Sequence, residues 1–361
     1  MPTASYVPTH DSVPIYAGLP LASAAPLVDS FGRHVTYLRV SLTDACNFKC
    51  TYCVPPDGYT PMGRPNYLDR THITRLIRLS ETVGIERVRL TGGEPLLRHD
   101  LVDIVRDIKQ STRLKDISIT TNGSRLKPLL QPLKDAGLDR INISLDSLDP
   151  ARFKAVTQVN AYQQVLEASH AAIAMGFPVK LNMVAMQGLT ADEILRFVQM
   201  AYDHPIEVRF LEFMPLCGSG WVPDLVFPIT RIREIIRERF FLEEEPDRGD
   251  QVAQTFRIAG GKGRVGLIAS LTESFCGSCS RIRMTADGRI KPCLFSDVEV
   301  PLGHLLRENA PDERIIAALR EAVRIKPAGN QFKDKPFTNQ GPEAAAQGVA
   351  SASVVMQGLG G

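Results

Sequence analysis

The sequence predicts an α/β protein organised around a parallel sheet with crossover helices, and three observations predict it. β-like runs alternate with amphipathic helical stretches; six such β/α units follow one another; and 44% hydrophobic content over 361 residues suffices for one large core with an annex or for two ordinary domains. Such a sheet is either open and doubly wound or a partial barrel, and in both the active site is expected at the C-terminal edge of the strands.

Residues 1–30 are rich in Pro, Ala, Ser and Thr without sustained periodicity, which predicts a flexible extension ahead of a fold that begins near Phe31. Within 31–216, residues 35–43, 87–91, 116–121, 140–145, 179–186 and 207–214 read as strands. Helical patterns at 73–83, 101–109, 126–136, 162–175 and 191–202 lie between them. Residues 217–340 change character, with a helix over 230–240, an acidic run at 243–245 and short strands at 251–258, 264–270, 282–285 and 289–293. They read as a smaller α+β region. Gly261, Gly263 and Gly266 spell GxGxxG, but they join two strands and open no helix, so a hairpin turn is expected rather than a nucleotide loop. No P-loop sequence occurs. Residues 341–361 form a small-residue tail ending in Gly360 and Gly361.

Charge excludes some partners. Lys and Arg number 42 against 40 Asp and Glu, so no field across the surface calls for nucleic acid or an anionic membrane. No apolar run approaches the roughly 20 residues of a membrane span, and no Lys or Arg precedes Arg33 as a secretory signal would require. The seven cysteines are odd in number, and six fall into two tight triplets that would make strained disulfides. A cytoplasmic protein is expected.

Cys46, Cys50 and Cys53 are spaced C-x3-C-x2-C directly after the first strand. Three thiolates cannot close a tetrahedral zinc site without a distant fourth ligand, whereas on a four-iron cluster they leave one iron open to an exogenous ligand. Gly92 and Gly93, lacking Cβ, would let backbone groups approach such a ligand closely, and Glu94 can accept from an ammonium group. Cys276, Cys279 and Cys293 form a second incomplete set, C-x2-C-x13-C. Spacing alone leaves a second cluster and a structural zinc site completed by Cys217 or a histidine both open; Cys217 otherwise reads as a buried structural thiol.

Tyr52, immediately before the third cysteine, matches the aromatic position of the radical S-adenosylmethionine (SAM) motif. The stretch Phe31-Gly-Arg-His-Val-Thr-Tyr-Leu-Arg39, the first triplet, Arg89-Leu-Thr-Gly-Gly-Glu-Pro95, Thr120-Thr-Asn-Gly123, Asn142-Ile-Ser-Leu-Asp-Ser147, Val179-Lys-Leu-Asn182 and Arg209-Phe-Leu-Glu-Phe-Met214 together resemble the GTP 3′,8-cyclase family of molybdenum cofactor biosynthesis. The resemblance runs from about residue 31 to the end, and departs mildly at the extension and at Val54-Pro-Pro-Asp-Gly58.

It implies an incomplete (β/α)6 radical-SAM barrel with a C-terminal α+β extension carrying a second cluster. It further implies two [4Fe-4S] clusters, with SAM bound at the first near Tyr52, Gly93, Glu94, Ser144 and Met214. GTP would be met by Arg39, Arg89, Thr120, Lys180, Arg281 and Arg283, the last two, an Arg-x-Arg just past Cys279, also guiding catalysis. The implied lyase reaction removes hydrogen from ribose C3′ and joins that carbon to guanine C8, giving (8S)-3′,8-cyclo-7,8-dihydroguanosine 5′-triphosphate. A reductant must supply electrons; the oligomeric state, a homodimer included, is left open, as is entry of the Gly-Gly tail into the site.

A surface charge is the ordinary fate of any one Arg or Lys, but Arg39, Arg89 and Lys180 lie on apolar strands, where that fate is uncommon. Two other functions compete. A radical SAM enzyme with an auxiliary cluster could act on another substrate such as a peptide, although such enzymes usually carry more C-terminal cysteines. A non-catalytic zinc module would leave Tyr52 and the Gly-Gly-Glu-Pro turn without a reason.

Overall fold

A computed structural model describes residues 25–55, 58–216, 221–246 and 252–329. The extension up to residue 24, Cys217 and the tail with Gly360 and Gly361 lie outside the described residues. The six expected strands are β1 (Tyr37–Ser41), β2 (Arg87–Thr91), β3 (Asp116–Thr121), β4 (Arg140–Ser144), β5 (Val179–Ala185) and β6 (Glu207–Glu212). Between them stand α1 (Arg70–Thr82), α2 (Leu101–Ser111), α3 (Leu130–Asp135), α4 (Pro150–Thr157), α5 (Tyr162–Ala174) and α6 (Ala191–Asp203). Asp69, Asp149 and Thr190 cap α1, α4 and α6 by accepting backbone N–H bonds from the first turn, which fixes where those helices begin. α4 escaped the periodicity because it is a short helix with a weak apolar stripe.

β7 (Leu242–Glu244), β8 (Gln254–Ile258), β9 (Arg264–Ile268), β10 (Arg281–Met284), β11 (Arg289–Lys291) and β12 (Val300–Pro301) follow, with α7 (Ile229–Arg237), α8 (Gly303–Arg307) and α9 (Asp312–Arg324). All twelve strands form one sheet in the order β12-β11-β10-β1-β2-β3-β4-β5-β6-β9-β8-β7. Its eight central members, β10 through β9, are parallel, and an antiparallel pair flanks each edge. The C-terminal region is therefore not a body apart: β9 extends one edge of the barrel and β10 the other. The segment between them must cross the open side. β8 and β9 pair antiparallel across Gly261 and Gly263, so the glycine-rich stretch is the expected hairpin, while Gly266 lies inside β9 beside Arg209.

The fold also begins earlier than Phe31. Leu27 is 1% exposed; its N–H donates to Val83 O (2.9 Å) and its carbonyl accepts from Val35 N–H (2.8 Å). A single buried leucine in a Pro- and Ala-rich stretch carries no periodicity to detect. Among the described residues no helix is long and apolar enough to cross a membrane.

Phe153 of α4 is fully buried and meets Phe48 edge-on at 6.1 Å and Tyr162 at 5.8 Å. Phe48 sits inside the first cysteine triplet, so core packing supports that loop directly. Phe153→Ala is expected to cost about 3–5 kcal/mol, measured as a drop in the denaturant midpoint of the apoprotein; a midpoint equal to the parent's would show that the loop does not lean on this core.

Candidate active site

The first triplet lies on the loop leaving β1, at the C-terminal edge as expected, and its course is fixed on two sides. On one side the turn after β2 runs alongside it. Leu42 N–H donates to Thr91 O (2.9 Å), Gly93 N–H to Thr43 O (2.7 Å) and Glu94 N–H to Ala45 O (2.8 Å). A Cβ at Gly92 would stand 2.4 Å from Thr43 O, and one at Gly93 2.2 Å from Ala45 O. The glycines are thus demanded by packing of the chain against itself, where the sequence suggested close approach to a ligand. On the other side the end of α4 holds the loop, Thr157 O accepting from Lys49 N–H (3.2 Å) and Val156 O from Thr51 N–H (2.9 Å).

Two buried carboxylates brace the same region. Glu94 Oε1 accepts from Leu96 N–H (3.0 Å) and Thr121 Oγ1 (2.7 Å), and Oε2 from Asn122 N–H (2.7 Å). Burial still pushes it up to about 7, and Oε2, with one donor, keeps a lone pair for a ligand cation. Asp146 accepts from Tyr52 Oη (2.8 Å) and Val184 N–H (3.2 Å), and burial raises it to about 6. Tyr52 is therefore oriented by β4 and β5.

Along the barrel interior, charge replaces the usual apolar filling. Arg39 pairs in register with Arg89 on one side and Arg283 on the other, and Tyr37 with Arg281. Arg209 joins them on the cavity wall from β6. Burial first, then Arg283 and Arg89, hold Arg39 well below its ordinary proton affinity; burial lowers Arg89 and Arg283 to about 10. Guanidinium groups stay charged in proteins, so these directions record the cost of burying charge, at Arg39 and Arg283 beside like charge. Thr120 Oγ1, Asn182 Oδ1 and Arg89 Nε are buried on this wall and find no hydrogen-bond partner among the described residues. Orphaned polar atoms facing a cavity are what an absent polar ligand leaves behind.

Lys180 does not join the wall. Its ammonium donates to Glu207 Oε2 (2.6 Å), and Glu207 Oε1 accepts from Arg209 Nε. Burial would raise Glu207, yet Arg209 and Lys180 bring it down to about 2; Lys180, buried and beside Arg209, falls to about 7. One step along the barrel wall separates a side chain on the cavity from one held by a carboxylate beside it.

The second triplet stands at the other end. Cys279 precedes β10 and Cys293 follows β11, both at the N-terminal side of the parallel strands, and Ser280 O accepts from Thr36 and Tyr37 N–H at the start of β1 (3.0 and 3.1 Å). β1 is five residues long, so about 13 Å of strand, at ~3.3 Å per residue, separates the two levels. A site confined to the C-terminal edge is therefore corrected to a passage through the barrel. One cavity of about 1970 Å³, its open mouth included, is bordered by all six of these cysteines and by Tyr52, Gly93, Glu94, Ser144, Met214, Thr120, Arg281 and Arg283.

Among the described residues no three His, Cys, Asp or Glu side chains close around one metal ion, while all six thiols border the one cavity; three thiols are the donor number that leaves one iron of a four-iron cluster open. The two sets differ in electrostatics. Burial raises Cys46 to about 11 and lifts Cys50 and Cys53 further, so their protons must be displaced by metal. At Cys279 burial is outweighed by the charges of Arg281 and Lys326, which bring it down to about 6.

Arg209, Asp146, Asn182 and Lys326 were missed in the sequence. A signal for the strand residues was present: Arg87-Val-Arg-Leu-Thr91, Arg140-Ile-Asn-Ile-Ser144 and Glu207-Val-Arg-Phe-Leu211 alternate polar and apolar. Parallel strands buried on both faces are normally continuous apolar runs, so alternation marks a polar interior.

The radical SAM superfamily pattern matches residues 40–201, and the Molybdenum Cofactor Synthesis C pattern residues 206–332. A GTP 3′,8-cyclase from Streptomyces coelicolor is 44% identical over 316 residues, covering 86% of this chain and 93% of that protein. One from Moorella thermoacetica is 40% identical, covering 85% and 95%. Molybdenum cofactor biosynthesis protein 1 of Bos taurus is 42% identical over 86% of this chain, and the chain spans about half, 51%, of its length. Among solved structures, Streptococcus suis SuiB bound to S-adenosylmethionine superposes with a TM-score of 0.56 at 14% identity, covering 77% of this chain and 66% of SuiB, a likeness of fold alone.

Two outcomes are expected. In the apoprotein near pH 7, iodoacetamide should modify Cys279 several-fold faster than Cys46, Cys50 or Cys53, because the thiolate is the nucleophile; peptide mass spectrometry reads the order, and equal rates would contradict the electrostatic contrast. Gly93→Ala should lower the iron retained at the first triplet, since its Cβ displaces the Ala45 carbonyl; full iron with unchanged stability would refute the packing argument.

Proposed function

The chain belongs to the GTP 3′,8-cyclase family of the radical SAM superfamily, and from that premise we propose that it converts GTP to (8S)-3′,8-cyclo-7,8-dihydroguanosine 5′-triphosphate at the start of molybdenum cofactor biosynthesis. One observation carries the proposal: a single cavity has three thiols at each end and five guanidinium groups, Arg39, Arg89, Arg209, Arg281 and Arg283, between them. A triphosphate bound without a P-loop needs such convergence of cations.

Cys46, Cys50 and Cys53 would hold a [4Fe-4S] cluster with one iron left for the amino and carboxylate groups of SAM. When bound, that pair supplies a carbon-centred radical able to remove hydrogen from an unactivated C–H bond. The chain's own work is positioning. Glu94 Oε2 accepts an N–H of the SAM amino group, Asp146 fixes Tyr52 against it, and Gly93, Ser144 and Met214 complete the pocket. Val184, Leu211, Phe213 and Ile268, which line the same cavity, keep water away from the reacting carbon.

Cys276, Cys279 and Cys293 would hold the second cluster, which would supply a coordination site for a nitrogen or oxygen of the purine. Thr120 and the arginines meet the rest of GTP, with Arg281 and Arg283 stabilising charge while C3′ closes on C8. Lys180 serves through Glu207, which holds Arg209. Electrons come from an external reductant.

Anaerobic, reduced protein given SAM and GTP is expected to release 5′-deoxyadenosine and a cyclised purine product; 5′-deoxyadenosine without that product would refute GTP as substrate. Replacing Cys46, Cys50 or Cys53 should abolish SAM cleavage, whereas replacing Cys276, Cys279 or Cys293 should spare some cleavage and stop cyclisation. Arg281→Ala or Arg283→Ala should keep both clusters and lose product formation by about 10- to 100-fold, on the scale of removing charge-assisted hydrogen bonds. Stoichiometric zinc without sulfide in air-free protein would overturn the assignment at its root.

A further inference from the structure

Lys326 follows α9 and is 3% exposed. Its Nζ donates to Arg281 O (2.9 Å), to Pro292 O (2.9 Å) and to Cys279 Sγ (3.4 Å). Three acceptors match the three protons of an ammonium group. Arg281 lies two residues after Cys279, and Pro292 directly before Cys293, so one cation ties together the two chain segments that carry these thiols. The third cysteine is joined to the same stretch: Arg33 Nη1 donates to Cys276 O (2.7 Å) and to Ala328 O (2.9 Å), and Nη2 to Pro327 O (2.5 Å). Arg33 has its own counter-ion in Asp29 at 2.5 Å. Lys326 has none: among the described residues no carboxylate pairs with it. A buried cation without a counter-charge is costly, and the acceptor that can supply one is the sulfur.

We propose that Lys326 is a positioning residue of the second cluster, clamping the Cys279 and Cys293 arms and setting the cluster's reduction potential through a fixed positive charge on the Cys279 sulfur. This rests on the reading that the second triplet holds a [4Fe-4S] centre. Three thiolates outweigh the charge of the iron–sulfide core, so the centre is an anion, and its negative charge grows on reduction. A cation and an N–H···S bond at the ligand therefore favour the reduced form and raise the potential.

The test uses full-length protein with Cys46, Cys50 and Cys53 all replaced by Ala, so that only the second centre reports, reconstituted anaerobically with iron and sulfide. Iron and sulfide content, electron paramagnetic resonance and a potentiometric titration are recorded for Lys326, Lys326→Met and Lys326→Arg. The expected result is a potential shifted to more negative values in Lys326→Met and restored toward the parent in Lys326→Arg, with iron content held or reduced in the Met variant. Should Lys326→Met not fold, Lys326→Gln keeps part of the hydrogen bonding without the charge and is expected to show the same negative shift. An unchanged potential in the neutral variants overturns the proposal, as does weakened GTP binding with unchanged potential, which would make Lys326 a substrate ligand. Absence of any iron–sulfur centre in the Lys326 parent would instead refute the underlying reading of the second triplet.

Discussion

A parallel barrel that buries guanidinium groups on adjacent strands sets like charges side by side, and the rest of the architecture is arranged around that cost. Arg39 stands between Arg89 and Arg283 at neighbouring-strand spacing, about 4.8 Å, with Arg209 and Arg281 on the same wall. No packing rule favours this. Like charges across a ladder repel, and burial removes the water that would screen them. The apolar faces of the same strands, Leu38, Val40, Val88 and Leu90, are fully buried against the outer helices and hold the sheet together. Folding free energy comes from outside the barrel, and binding free energy is stored inside it.

That division explains how the sheet is extended. β9 and β10 are consecutive strands yet sit at opposite edges of the parallel sheet, so the chain between them spans the open side and brings Cys276 and Cys279 under the arginine row. The first triplet is delivered differently, by a loop that continues the β1–β2 pairing beyond the sheet. There Gly92 and Gly93 allow a backbone approach that any Cβ would block. The first thiols are held protonated by burial and by the neighbouring Glu94 and Asp146 carboxyls, whereas Cys279 is surrounded by cations. The two ends of one cavity thus present different electrostatics to whatever each binds.

Much of the architecture was legible because period is local. Strands 87–91 and 116–121 were bounded to the residue, since β-branched runs between turn residues have sharp edges. α4, α8 and α9 were not: α4 and α8 are short, whereas α9 carries an apolar stripe of Ile315, Leu319, Ala322 and Val323 at helical spacing that was there to be seen. Of the site residues carried by the family resemblance, all but Lys180 border the cavity. Lys180 shares the polar parity of β5 with Asn182, and only its neighbour Glu207 on β6 determines that it turns to a carboxylate.

The amino-acid sequence by itself determined the alternation of strands and helices, the two incomplete thiol sets and the family, because each is written in residue identity and short-range spacing. The tertiary structure alone decided that both thiol sets face one passage, that the C-terminal strands take opposite edges, and that Lys326 reaches the sulfur of Cys279. Those facts depend on contacts between residues dozens to hundreds of positions apart, which strand order and crossover direction establish and which no local pattern encodes.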